Sequence, residues 1–283
     1  MAQSQVSCGD CTFTISADGV LTRQAACGTG CTSLDLYSKR ISQISDPDVF
    51  KGLTQLQYLG LAGNSLTSLP SGVFDGLTSI TSLNLRINRL TSLPAAVFDQ
   101  LVKLEYLYLD NNRLTSLAAR VFDANSKLWM LWIYNNDLTS LPAGLFNNLS
   151  RLNILYLQGN QISSLPSRLF DHLSRMPSLS LLDLSYNDLT EIPAGVFDSL
   201  TQVFNLFFLW NKLSALPPGV FNNNKNLAYL RLGGNMLQSL PAGLFDNLSN
   251  LNEASLYYNK LESLPDRLFD SLTRLRYIDL YGN

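Results

Sequence analysis

Apolar and polar positions along this chain repeat as LxxLxLxxN. The closing asparagine recurs ten times, as Asn64, Asn88, Asn112, Asn136, Asn160, Asn187, Asn211, Asn235, Asn259 and Asn283. Eight of the nine steps between these asparagines are 24 residues and one is 27. Inside the frame LxLxx alternates with a period of two, so its leucines face one side and the residues between them the other, which predicts a short strand in every unit. A unit this short cannot bury its own apolar side, so stability has to come from stacking, with neighbouring strands paired in parallel. The asparagine falls where the chain leaves the strand. Its amide can satisfy backbone groups of adjoining turns that would otherwise be buried unpaired.

The second half of each unit reads xLTSLPxxxFxxL, as in LEYLYLDNNRLTSLAARVFDAN and LAYLRLGGNMLQSLPAGLFDNL. Pro70, Pro94, Pro142, Pro166, Pro193, Pro217, Pro241 and Pro265 each stand four residues before a phenylalanine. The fixed φ and missing N–H of proline suit an extended segment entering a short helical turn. The phenylalanines from Phe50 to Phe269 then form a core spine on the side away from the strands. A degenerate first unit, LDLYSKRISQISDPDVF, has Lys39 where later units have asparagine.

With these units the chain resembles extracellular leucine-rich-repeat proteins. Its LTSLPAGLFDNL-type segments are most similar to the variable lymphocyte receptors of jawless vertebrates, and related repeats occur in Toll-like receptors and microbial surface proteins. The resemblance covers roughly residues 32–283. It implies an α/β solenoid, a leucine-rich-repeat horseshoe with a parallel concave β-sheet, about ten 24-residue repeats and a short helical or 3-10 convex side.

All four cysteines, Cys8, Cys11, Cys27 and Cys31, lie in the first 31 residues. Clustered at one end of a solenoid, they read as two disulfides stapling a small cap over residues 1–31, ahead of an array over 32–283. That implies an oxidising compartment and a secreted or cell-surface protein. The spacing C-x2-C-x15-C-x3-C also comes close to a four-thiolate zinc site, and three disulfide connectivities are open. Alternation around Asp18-Gly19 predicts a hairpin in the cap. The chain stops at Asn283 in mid repeat, with Leu275, Ile278 and Leu280 lacking a neighbour. A longer natural protein, or self-association through that uncapped end, is therefore expected.

Net charge is −2, from 20 basic and 22 acidic residues spread without runs, which leaves no electrostatic footprint for nucleic acid or an anionic membrane. No apolar stretch is long enough for direct membrane insertion. Catalysis finds little support. The single histidine, His172, follows the phenylalanine spine, and the strand carboxylates Asp110, Asp183, Glu253 and Asp279 lie on different units. No catalytic residue, metal or cofactor is called for.

The aromatics carry the functional signal. All twelve tyrosines and all three tryptophans fall between the first leucine of a unit and its asparagine. The third, fifth, seventh and eighth places of the frame are expected to point away from the leucine core. They supply the candidate binding residues Tyr106, Tyr108, Trp132, Tyr134, Tyr156 and Gln158, then Asp183, Tyr186, Phe207, Trp210, Tyr229, Arg231 and Tyr257. Large amphipathic rings with scattered charges and amides are the composition of paratopes and hot spots, which points to a protein or glycan ligand. Two other readings stand beside it. The rings could be a stacked ladder that only stabilises the sheet, or the array could space or target another part of a larger protein. The 27-residue step, around Met176 and Pro177, is a candidate contact loop. Sequons at Asn148 and Asn247 occupy one place in their units, on the convex side.

Overall fold

The computed structural model describes residues 4–24, 30–171 and 179–283; Cys27, His172, Met176 and Pro177 lie outside the described residues. Two compact units divide the chain, Met1–Asp137 and Leu138–Asn283. Both are built as a parallel β-solenoid of repeats about 24 residues long.

In the first unit, β1 (Ser4–Cys8), β2 (Cys11–Ile15) and β3 (Val20–Arg23) form an antiparallel meander, and β5 (Gln43–Ile44) adds to β3 in parallel. The hairpin between β2 and β3 turns at Gly19, whose φ is 81°. A Cβ there would meet the Arg40 carbonyl and the Ser42 hydroxyl, each at 2.6 Å, so only glycine fits. The hairpin was legible in the alternation. The first strand and the parallel addition of β5 were not, because neither carries a turn signal of its own.

Strands β4 (Ser33–Asp35), β6 (Tyr58–Gly60), β7 (Ser82–Asn84), β8 (Tyr106–Tyr108) and β9 (Met130–Trp132) then pair in parallel, each one repeat beyond the last. Leu34, Leu59, Leu83, Leu107 and Leu131 are the partnered central residues, and all are buried. The second unit continues the rule with β10 (Ile154–Tyr156), β11 (Leu181–Asp183), β12 (Asn205–Phe207), β13 (Tyr229–Arg231), β14 (Glu253–Ser255) and β15 (Tyr277–Asp279). The 27-residue step leaves the register intact, with Leu155 opposite Leu182.

The asparagine ladder works as its position predicts. Asn112 Nδ2 donates to the carbonyls of Leu109 in its own turn and Leu85 in the preceding one, each at 3.0 Å. Its Oδ1 accepts the Leu90 N–H, also at 3.0 Å. One side chain thereby joins three backbone groups of two turns that have no water to turn to. Asn88, Asn211, Asn235 and Asn259 repeat the arrangement.

The phenylalanine spine is buried throughout, apart from a half-buried Phe269. In the first unit its rings follow one another at 6.3, 6.4 and 6.1 Å from Phe50 to Phe122, and the cap extends the row with Phe13, 6.0 Å from Phe50. Phe208 takes a leucine place; its ring packs 5.5 Å from Phe197, and the strand pairing on both sides keeps the common register.

The expected helical or 3-10 side is a correction. Apart from Asp171, no described residue there is helical. The N–H groups of Val73, Asp75 and Leu77 bond back to the carbonyls of Pro70, Gly72 and Phe74, and Val97, Asp99 and Leu101 do the same in the next repeat. These are single i+3 turns at every second residue, whereas a 3-10 helix needs them at consecutive residues. The proline and phenylalanine spacing was right; the geometry it supports is a chain of turns.

Cys8 and Cys31 form a disulfide, Cys11 is also disulfide-bonded, and there is no free cysteine among the described residues. No helix is long and apolar enough to cross a membrane, and no group of three metal-ligating side chains occurs among the described residues.

Candidate recognition surface

Strands of three residues present two outward places each, the third and fifth of the frame, and from β7 to β13 all of these are half-buried between their neighbours. In the first unit the rings meet. Tyr108 contacts Trp132 edge to face, with centroids 4.9 Å apart at 89°, and Trp132 meets Tyr134 at 5.8 Å. Tyr106 packs against Trp129 at 5.9 Å. Three of the expected residues, Tyr108, Trp132 and Tyr134, are thus brought together, while Tyr106 pairs with Trp129.

The polar group beside this patch is Asp110. Sequence reasoning put it on the exposed face, yet it is 0% exposed. Its carboxylate takes a hydrogen bond from Asn111 Nδ2 at 2.7 Å and pairs with Arg86 Nε at 3.3 Å. Seventh-place residues lie close to the point where the strand ends, so small or compact ones fold under the surface; Ser185 and Ala62 are buried in the same way. Burial, then the Asp110 charge, holds the Tyr134 hydroxyl above the usual phenol range. Burial does the same for Tyr108 and Tyr58. These hydroxyls remain neutral donors.

In the second unit the fifth-place residues run Tyr156, Asp183, Phe207, Arg231, Ser255 and Asp279 along the sheet. The Arg231 guanidinium lies 4.7 Å from the Phe207 ring centre while its Nε pairs with Glu253 at 3.2 Å. Asp183 accepts the Ser185 N–H at 2.9 Å; burial pushes its carboxyl above the usual carboxylate range, and the bonds from Ser185 and the charge of Arg231 only partly offset this. Burial and then Asp183 raise Tyr156. Tyr229 packs on Phe204 at 5.5 Å, and Gln158 is half-buried.

One feature of the surface was missed in the sequence. The eighth place, just before the ladder asparagine, has a positive φ in every repeat. It is occupied by Ser38, Gly63, Ile87, Asn111 and Asn135 in the first unit, and by Gly159, Tyr186, Trp210, Gly234, Tyr258 and Gly282 in the second. The chain needs the left-handed conformation to turn out of the strand. The column of glycines and asparagines carries that signal. Read place by place it was available; read as a list of aromatics it was hidden. On the opposite side of the repeats Asn148 and Asn247 are both exposed.

Comparison with known families finds the model described as Leucine rich repeat matching residues 30–90, 78–138, 131–181, 210–253 and 225–283, with a second model of the same description at 178–200. Among solved structures, the chain is similar to one in the Toll–Spatzle complex of Drosophila, with 31% identity and a TM-score of 0.81 over 89% of this chain and 33% of that one. A chain in the complex of Latrophilin 3, Unc5D and FLRT2 has 26% identity and a TM-score of 0.77, covering 92% and 80%. A leucine-rich-repeat protein of Leptospira interrogans has 30% identity and a TM-score of 0.65, covering 88% and 66%. This chain spans about a third of the length of the Toll-complex chain. The comparison with curated proteins finds no match.

Proposed function

We propose that this chain, which belongs to the leucine-rich-repeat family, is a non-catalytic recognition module that binds a macromolecular ligand through the outward face of its strands. The observation that carries the reading is the contact of Tyr108, Trp132 and Tyr134 from adjacent repeats in one partly exposed group of rings, with the Tyr106–Trp129 pair on the same two repeats. Such a group offers contact area at low entropy cost, and its rings carry polar handles. The similar chains come from complexes of Toll with Spatzle and of FLRT2 with Unc5D and Latrophilin 3, so a protein ligand has the stronger support. A glycan keeps only the argument from aromatic stacking. Disulfides at the N-terminal end support a secreted or cell-surface location.

The test separates binding from a purely structural ladder. Wild-type chain and the Trp132→Ala and Tyr156→Ala variants are applied to arrays of secreted proteins and of glycans, and the melting of each is recorded. Recognition requires array ligands that the variants lose while melting shifts by no more than about 4 °C, roughly 1 kcal/mol for a unit of this size. A fall several times larger, with no array ligand for the wild type, would sink the proposal.

A further inference from the structure

The left-handed place is unevenly filled. In the second unit Tyr186, Trp210 and Tyr258 hold φ of 54°, 54° and 48° where Gly159, Gly234 and Gly282 meet the same demand. A residue with a Cβ carries a cost of about 1 kcal/mol or more there, and glycine none. Folding alone therefore favours glycine or asparagine at all six. Side chains kept in such conformations gather at functional surfaces.

The glycines also shape the rings around them. A Cβ on Gly234 would stand 2.6 Å from the Trp210 indole, and one on Gly233 2.6 Å from the Tyr257 ring. The rings lean into the room these glycines leave. Trp210 comes within 6.3 Å of Tyr257 and 6.2 Å of Tyr258, Tyr186 stacks on Trp210 at 6.5 Å, and Tyr281 meets Tyr258 at 5.4 Å. Packing does not hide them: Tyr186 is 56% exposed, Trp210 43%, Tyr258 48% and Tyr281 71%.

Negative charge flanks the row. Asp183 accepts the Ser185 N–H one residue before Tyr186, and Asp279 accepts the Tyr281 N–H at 3.0 Å. Neither is in an ion pair among the described residues, whereas Arg231 is matched by Glu253 and Lys212 by Asp188 at 2.7 Å. The same sheet shows what such a setting accepts: the guanidinium of Arg231 sits over the Phe207 ring with a carboxylate beside it.

We propose that the row of Tyr186, Trp210, Tyr258 and Tyr281 docks a cationic segment of a protein partner, whose arginine or lysine side chains lie on the rings between Asp183 and Asp279. This rests on the reading of the strand face as a recognition surface and names the chemistry of the partner. Cation–π contact is strongest on tryptophan, and exposed rings near carboxylates attract a guanidinium twice over. An anionic glycan or nucleic acid meets the wrong sign of charge. A neutral glycan makes no use of the two aspartates.

The probe is a tetra-arginine amide, with tetra-glutamate as control, added to intact chain labelled with 5-fluorotryptophan and followed by fluorine NMR. The Trp210 resonance, assigned by its loss in Trp210→Gly, should move with the arginine peptide and not with the glutamate one. Tyr258→Gly, and separately Asp183→Asn with Asp279→Asn, should each raise the midpoint about fivefold or more, the effect of losing one such contact. Because glycine relieves the left-handed strain, Tyr258→Gly should melt close to the wild type. The proposal is overturned if the Trp210 resonance does not respond, if Trp132 responds equally and the aspartate variants change nothing, or if Tyr258→Gly unfolds the second unit. Ligands on the secreted-protein array with no Trp210 response would leave the recognition reading standing and end this one; failure of both would end both.

Discussion

At the scale of single residues, the ladder asparagines and the buried carboxyl groups carry the sharpest consequences. Asn112 satisfies Leu85 O, Leu109 O and Leu90 N at once, so Asn112→Ala leaves buried groups unpaired. We expect a loss of about 2–3 kcal/mol, seen as faster hydrogen exchange at the Leu90 amide in the preceding turn; an unchanged Leu90 rate would contradict the ladder. Asp183 behaves in the opposite sense. Burial raises its folded-state pKa above the unfolded value, so the fold binds that proton more tightly. Its contribution to stability is present at low pH and lost as pH rises through the folded value. Asp183→Asn should therefore melt above the wild type at pH 7, and the difference should vanish below about pH 4, the ordinary aspartate range. A variant less stable at pH 7 would show that the Ser185 bonds outweigh burial.

At the scale of the repeat, Asn125 and Asn224 stand where other units put leucine after the phenylalanine. Both are 0% exposed. Asn125 Nδ2 reaches Phe98 O and Leu101 O at 3.0 and 3.1 Å, while its Oδ1 has no hydrogen-bond partner. Those two carbonyls already accept the Leu101 and Leu104 N–H groups. Asn125→Leu should stabilise the first unit by about 1–2 kcal/mol, as an orphaned acceptor gives way to buried apolar surface. Denaturant midpoints decide it, and a lower midpoint would mean the side-chain bonds tie the turns together. Much of the repeat was legible in the sequence. Spacing alone located the strands, the asparagines and the phenylalanines, because one side-chain period and one burial requirement determine all three. Two things were not. LPxxxF is compatible with a helix or with alternating turns, and only the backbone bonds choose. The left-handed eighth place was masked by Ile87, Tyr186, Trp210 and Tyr258, which no propensity would put there, and with it went the reason those rings stand so far out. Asp110 shows the limit for the site: its place in the frame is outward, and only the pairing with Arg86 and Asn111 reveals that it is buried.

At the scale of the whole molecule, the disulfide and the ladder set where the structure can give way. The Cys8–Cys31 bond closes a segment with a sequence separation of 23. Constraint of the unfolded chain by a loop of this size is worth about 3 kcal/mol. Reduction should raise hydrogen exchange in β1 to β4 while strands β11 to β14 stay protected; equal loss of protection in both would contradict it. The ladder has a mechanical side as well. Each turn is closed by the asparagine of the repeat that follows it, as Asn259 closes the turn at Leu237 and Asn235 the one at Leu213. Tension applied at the C-terminal strand of the second unit thus loads one rung while those behind it stay latched. Pulled at constant speed, that unit should come apart as a ratchet, giving successive force peaks that each free 24 residues, about 80 Å of extended chain, save the 27-residue step from Asn160 to Asn187, which frees about 90 Å.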